Sequence, residues 1–158
     1  MKFYWIIGAL LLLGLCAFQC RRQQDGEKLE QELLQADRNF SALSVQRGAA
    51  YAFYYYIAED GIALPHRGKP RTKATFEKLM KETENLPITS TLEWEPLIAK
   101  VASSGDLDYT HGRFVLSATD TTNSVITQRG YYITIWKRYN GEWKFIADAG
   151  KQNPELVE

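Results

Sequence analysis

Cysteine is nearly absent from this chain of 158 residues: there are two, Cys16 and Cys20, and both fall in the first 20 positions. The remainder can hold no internal disulfide and no cysteine-ligated metal. Net charge is absent too, with 19 Lys plus Arg against 19 Asp plus Glu. A neutral chain lacks the basic face that binds nucleic acid through its phosphates, so nucleic acid is not an expected partner. Histidine is scarce. His66 and His111 stand far apart with no carboxylates at ligand spacing, which argues against a metal site. There is no Gly-x-Ser-x-Gly elbow, no phosphate-binding glycine loop, no His-Glu-x-x-His and no dinucleotide fingerprint. No cofactor is implied. Repeats and low-complexity stretches are also missing.

What is present describes a folded domain. Hydrophobic residues make up 45% and charged residues 24%, the balance of a globular chain with a core. The length suits one domain rather than two. Aromatic residues, at 13%, point to a sheet-rich fold with an aromatic-lined interior or pocket.

The one long apolar run is Phe3 to Gln19, behind Lys2. Residues 1–20 thus read as a secretory signal or an anchor. Cys20 ends the run, where a lipoprotein signal places the cysteine that becomes diacylated. The first expectation is therefore a lipoprotein of the bacterial cell envelope, lipidated at Cys20 and attached to the membrane. Gln19 is larger than the usual residue before such a cysteine. An uncleaved anchor remains open, because Arg21 and Arg22 follow the run and would hold the C-terminal part in the cytoplasm. Ordinary cleavage is the third possibility. Residues 21–28 read as a polar tether and 29–158 as the domain.

Within the domain, Leu29, Leu33, Ala36, Phe40 and Leu43 recur at helical spacing, and Gly48 ends that helix. Ala49 to Tyr56 is a second helical stretch. Glu59-Asp60-Gly61 reads as a turn and Ile62 to Leu64 as a short strand. A basic loop, His66 to Lys73, precedes a third helix that Thr72 caps and that stops before Pro87. The loop's cations could meet an acidic head group or an anionic ligand. The period then changes to two, and Leu92–Ser103, Leu107–Ala118, Val125–Arg138 and Glu142–Ala149 read as antiparallel strands. Pro96 marks an edge strand or a bulge. The fold class is α+β, with about three helices on one antiparallel sheet.

Asn140-Gly141 is a hairpin turn that pairs Tyr139 with Glu142, Trp136 with Phe145 and Thr134 with Ala147. Continued alternation puts Tyr132, Thr134, Trp136, Trp143 and Phe145 on one face. Tyr131, Ile133, Ile135, Ile146 and Asp148 fall on the other. Both faces are largely apolar. Helices cover one, and the other calls for a second subunit, a pocket or more of the same chain. A homodimer is the expectation.

The order of short motifs resembles the nuclear transport factor 2-like, or SnoaL-like, superfamily, and most of all its bacterial branch known as domain of unknown function 4440. The resemblance runs from Ala36-Asp37-Arg38-Asn39-Phe40 through Trp94-Glu95-Pro96 and Gly105–Gly112. It continues in Gly130-Tyr131-Tyr132 and closes on Gly141-Glu142-Trp143-Lys144 and Asp148-Ala149-Gly150. It implies a strongly bent, cone-shaped cystatin-like sheet with a cavity at its open end, often dimeric through the outer face. It does not imply one activity, since the superfamily hosts isomerases, cyclases, dehydratases and binding modules on one scaffold.

Two residues are candidates for proton transfer. Asp148, set among Ile133, Ile135 and Ile146, would be desolvated and could titrate near neutrality as a base, or could be a strand-end carboxylate held by a neighbouring donor. His111, between Tyr109 and Arg113, could project into the cone or be a satisfied surface imidazole. Trp94, Tyr132 and Trp136 complete a pocket that would take a small, partly apolar ligand together with Tyr109, His111, Arg113 and Asp148. Three functions follow as expectations: a membrane-attached ligand-binding domain, an isomerase or cyclase using Asp148 or His111, and a non-catalytic interaction module.

Overall fold

The computed structural model describes the backbone of residues 3–65, 68–102, 107–119, 122 and 124–156, with side chains from residue 25 onward. Helix α1 spans Phe3–Arg47 and α2 spans Ala49–Tyr56. Strand β1 is Ile57–Leu64, β2 is Arg71–Thr72, and helix α3 is Lys73–Thr83. Strands β3 (Ser90–Val101), β4 (Asp108–Thr119), β5 (Val125–Tyr139) and β6 (Glu142–Gln152) complete the chain. One six-stranded sheet has the order β2-β1-β6-β5-β4-β3. The expected four-strand antiparallel meander is there, and β1 extends it by pairing parallel to β6. The class is α+β, three helices on a mixed sheet.

Several local signals act as their chemistry dictates. Asn140 (φ 53°) and Gly141 (φ 89°) form the hairpin turn in the left-handed region that Asn-Gly favours. Thr72 opens α3, and its N–H donates to Thr75 Oγ1 at 3.3 Å. Strand β3 is an edge strand, and its pairing with β4 shifts between Pro96 and Ile98, so Pro96 marks both an edge and a bulge. The free edge of β3 is covered by α1. Ser41 Oγ accepts the Trp94 N–H at 2.8 Å, and Ser44 donates to the Leu92 carbonyl at 2.8 Å.

Four of the expected elements differ in the structure. Glu59-Asp60-Gly61 is not a turn between elements but an irregularity inside β1, where the register against β6 shifts between Ile57 and Ile62. Arg71 and Thr72, read as loop, pair with β1 as a short strand. The hairpin register holds through Trp136↔Phe145 and then slips, so that Ile135 meets Ala147 and Thr134 meets Asp148. The expected partner of Thr134 was Ala147. One extra residue on β6 makes a bulge, and because side chains alternate with period two, the slip moves Asp148 to the opposite face. Residues 21–28, read as a tether, are continuous with α1. Gln, Glu, Lys and Arg there are good helix formers.

The core is aromatic and centres on Phe40 of α1. Its ring lies 4.6 Å from Trp94, 4.7 Å from Tyr56, 4.9 Å from Phe53 and 5.6 Å from Phe145. These offset and edge-on contacts join α1, α2, β3 and β6 into one cluster. Of Tyr54, Tyr55 and Tyr56, only Tyr55 is exposed. Its ring lies 4.5 Å from the Lys144 ammonium.

Candidate functional site

Between α2, α3 and the inner face of the sheet lies a cavity of about 300 Å³. Its wall is mostly apolar: Phe53 from α2, Phe76 and Leu79 from α3, Phe114 from β4. Such a volume is at the small end for a ligand site. The polar groups that reach it come from the sheet. Asp148 of β6 and Tyr132 of β5 line its floor, with Trp94 of β3 beside them, while Arg71 and Gln128, both exposed, stand at the rim.

Asp148 is on the cavity wall because of the bulge in β6. Its carboxylate Oδ2 accepts the Thr134 hydroxyl at 2.8 Å. Burial raises its pKa from 3.8 to about 7; the Thr134 hydrogen bond opposes that rise, and the nearby Asp37 charge adds to it. The surface that Asp148 retains faces the cavity rather than open solvent. Its neighbours are not the expected isoleucines. Ile133 is exposed on the outer face, and Ile146 and Ile135 lie on either side of the slip.

Behind the floor sits a carboxylate with no access to solvent, Asp37 of α1. Trp94 Nε1 donates to its Oδ1 at 2.7 Å and the Tyr132 hydroxyl to its Oδ2 at 2.8 Å. The Thr110 hydroxyl is a third donor, and Thr110 Oγ1 in turn accepts Trp136 Nε1 at 2.9 Å. Burial raises the Asp37 pKa while the three donors lower it. The same carboxylate, with burial, raises the pKa of Tyr132. Three donors from three strands thus converge on one helix side chain, which fixes α1 to the sheet and holds the rings of Trp94 and Tyr132 against the cavity.

The structure brings together three of the residues named from the sequence: Trp94, Tyr132 and Asp148. Trp136 is fully buried in the core and does not line the cavity. Tyr109, His111 and Arg113 project to the outer face, since the intervening Asp108, Thr110 and Gly112 are the buried, inward positions of β4. Of the basic loop, Arg71 reaches the cavity; His66 and Arg67 lie outside the described residues, as does the side chain of Cys20. Asp37 was not singled out as a site residue, although the sequence carried a signal for it: a carboxylate in the apolar stripe of Leu33, Ala36 and Phe40. Among the described residues no cluster of His, Cys, Asp and Glu could hold a metal.

No protein-family model and no curated protein matches the sequence. Solved structures do match the fold. A nuclear transport factor 2-like superfamily protein from Salmonella enterica aligns with a TM-score of 0.64 at 12% identity, over 83% of this chain and 95% of that one. A nuclear transport factor 2-like protein with a cystatin-like fold, from Novosphingobium aromaticivorans, aligns with a TM-score of 0.61 at 15% identity, over 92% of each chain. The association domain of C. elegans CaMKII aligns with a TM-score of 0.61 at 8% identity, over 80% of this chain and 98% of that one. At these identities the likeness establishes the fold alone: the chain has the nuclear transport factor 2-like, cystatin-like architecture.

Proposed function

We propose that the domain binds a small, partly apolar ligand in the cavity beneath α2 and α3, oriented by Asp148. The observation that carries this reading is an apolar cavity of about 300 Å³ with a carboxylate on its wall, one oxygen of which accepts no hydrogen bond among the described residues. Apolar walls with few convergent polar groups are the usual form of a ligand site. Calorimetric titration of the full chain in phosphatidylcholine nanodiscs, with empty nanodiscs as blank, tests it. The probes share one cyclohexyl body: cyclohexylmethylamine, methyl cyclohexyl ketone and cyclohexanecarboxylate. At least one should bind, and Ala50→Phe, which fills the cavity from α2, should abolish that binding. Heat from no probe, or binding unchanged by Ala50→Phe, would reject the reading.

A second reading is supported by the carboxyl of Asp148, whose raised pKa near 7 suits a general base beside a bound carbonyl compound. In it the domain is an isomerase- or cyclase-type enzyme. Turnover lost in Asp148→Asn at unchanged ligand affinity would favour it.

The setting is proposed from the sequence: membrane attachment through the N-terminal apolar run, with lipidation of Cys20 in a bacterial envelope, and kinship with the domain of unknown function 4440 branch. A homodimer is supported by the outer sheet face, where Ile98, Tyr109, Tyr131 and Ile133 are exposed on three adjacent strands. Light scattering of the detergent-solubilised chain should give twice the protomer mass, and Ile133→Lys should halve it.

A further inference from the structure

The donors around the cavity floor are already committed. The Trp94 Nε1–H and the Tyr132 hydroxyl both donate to Asp37, and the Thr134 hydroxyl donates to Asp148 Oδ2. What these side chains leave for a ligand is acceptor capacity: Asp148 Oδ1 and the lone pair of the Tyr132 oxygen. Donors stand at the rim instead, in the exposed Arg71 guanidinium and the Gln128 amide, whose Oε1 accepts Gln152 Nε2. With Asp148 ionised, a bound carbonyl or carboxylate would meet only acceptors at the floor. A molecule that brings its own N–H donors would meet complementary groups.

We propose that the cavity selects a small aliphatic or alicyclic amine, its ammonium against Asp148 Oδ1 and its hydrocarbon body against Phe53, Phe76 and Phe114. This assignment rests on the ligand-binding reading above and names the chemical class of the ligand. The groups that face Asp148 are few: Asp37 from α1, Tyr132 from β5, and Arg71 at the rim, with Glu95 of β3 acting on Asp37 and Tyr132. Asp37 and Glu95 are carboxylates, Tyr132 is a neutral phenol and the cation Arg71 stands at the rim, so the charged groups behind the floor are acidic. Burial holds the Asp148 proton on up to about pH 7, and an ammonium in contact would displace it. Amine binding near neutrality is therefore coupled to proton release and strengthens as pH rises through that range. A carbonyl ligand needs Asp148 protonated and shows the opposite slope.

The same full chain, nanodiscs and three cyclohexyl probes test the class. At about pH 8, cyclohexylmethylamine should bind at least about tenfold more tightly than the ketone, and the carboxylate more weakly than either. The amine affinity should fall about tenfold on going to about pH 5.5, with the ketone unchanged or improved. Asp148→Asn should remove the amine's advantage and its pH dependence. The pH series on the unaltered chain decides the matter even if that variant folds poorly. Ketone or carboxylate binding equal to the amine at about pH 8, abolished by Ala50→Phe, would overturn the amine assignment and leave the ligand cavity standing. Absence of binding by all three would overturn both.

Discussion

Thr134 donates its hydroxyl to Asp148 at 2.8 Å across two strands whose register has just slipped by one residue. Without the slip Asp148 would stand on the outer face beside Ile133 and Ile135. With it, the carboxylate enters the wall of an apolar cavity and its pKa rises to about 7. A backbone irregularity thus sets the electrostatics of the candidate site.

The raised pKa of Asp148 makes stability depend on pH. The folded protein keeps a proton there that the unfolded chain releases above about pH 4, so this group's contribution is complete below about pH 4 and is lost as pH rises through about 7. Asp148→Asn keeps an acceptor for Thr134 and removes the charge. It should be more stable than the parent above about pH 7, by roughly 1–4 kcal/mol, and indistinguishable below about pH 4. Urea unfolding at both pH values checks this; equal midpoints at the higher pH would refute it.

Asp37 should respond in the opposite sense to the same isostere. Its two oxygens receive donors from Trp94, Tyr132 and Thr110. An asparagine supplies one acceptor and sets an NH₂ against another donor. Asp37→Asn should destabilise by about 2 kcal/mol or more, and Asp37→Ala by a comparable or larger amount, because buried donors lose their partner. Near-ultraviolet circular dichroism should also show loosened packing of Trp94 and Tyr132. A melting temperature within a degree or so of the parent would contradict this.

Gly112 is required by close approach. A Cβ there would collide with the Glu95 carbonyl and come within 2.8 Å of the Tyr132 ring. Gly112→Ala should cost about 2 kcal/mol or more, and it should weaken ligand binding because it displaces Tyr132 at the cavity floor. Thermal melts and calorimetric titration report the two effects separately.

The proposed lipidation is tested at Cys20. Cells expressing the full chain should incorporate a fatty-acid analogue into it, and Cys20→Ala should abolish the label while the domain stays folded. A parent chain that carries no label yet remains in the membrane fraction would favour an uncleaved anchor.

Much of this fold was legible residue by residue. Asn140-Gly141 fixed a turn because few other pairs tolerate two positive φ angles. Alternation marked β3 to β6, Pro96 marked an edge, and Thr72 marked the start of α3. Each of these is local chemistry. Trp94, Tyr132 and Asp148 were named as pocket residues from their type and strand positions. Tyr109, His111 and Arg113 were grouped with them because alternation alone does not tell which face of a strand will be covered. Asp37 stood in plain view on an apolar helix stripe, but its donors come from residues 57 and 95 positions away in Trp94 and Tyr132.

The sequence by itself therefore determined the three helices of the domain, the four strands of the meander, their order and the α+β class, since propensity, capping and periodicity act over a few residues. Tertiary structure alone decided three things: the parallel docking of β1 on β6, the convergence of three donors on Asp37, and the bulge that carries Asp148 inward. Ile146 and Ala147 are both apolar, so the pattern of β6 reads equally well with or without the slip. The choice is made by tertiary contact, where the Asp148 carboxylate finds the Thr134 hydroxyl only on the inner face.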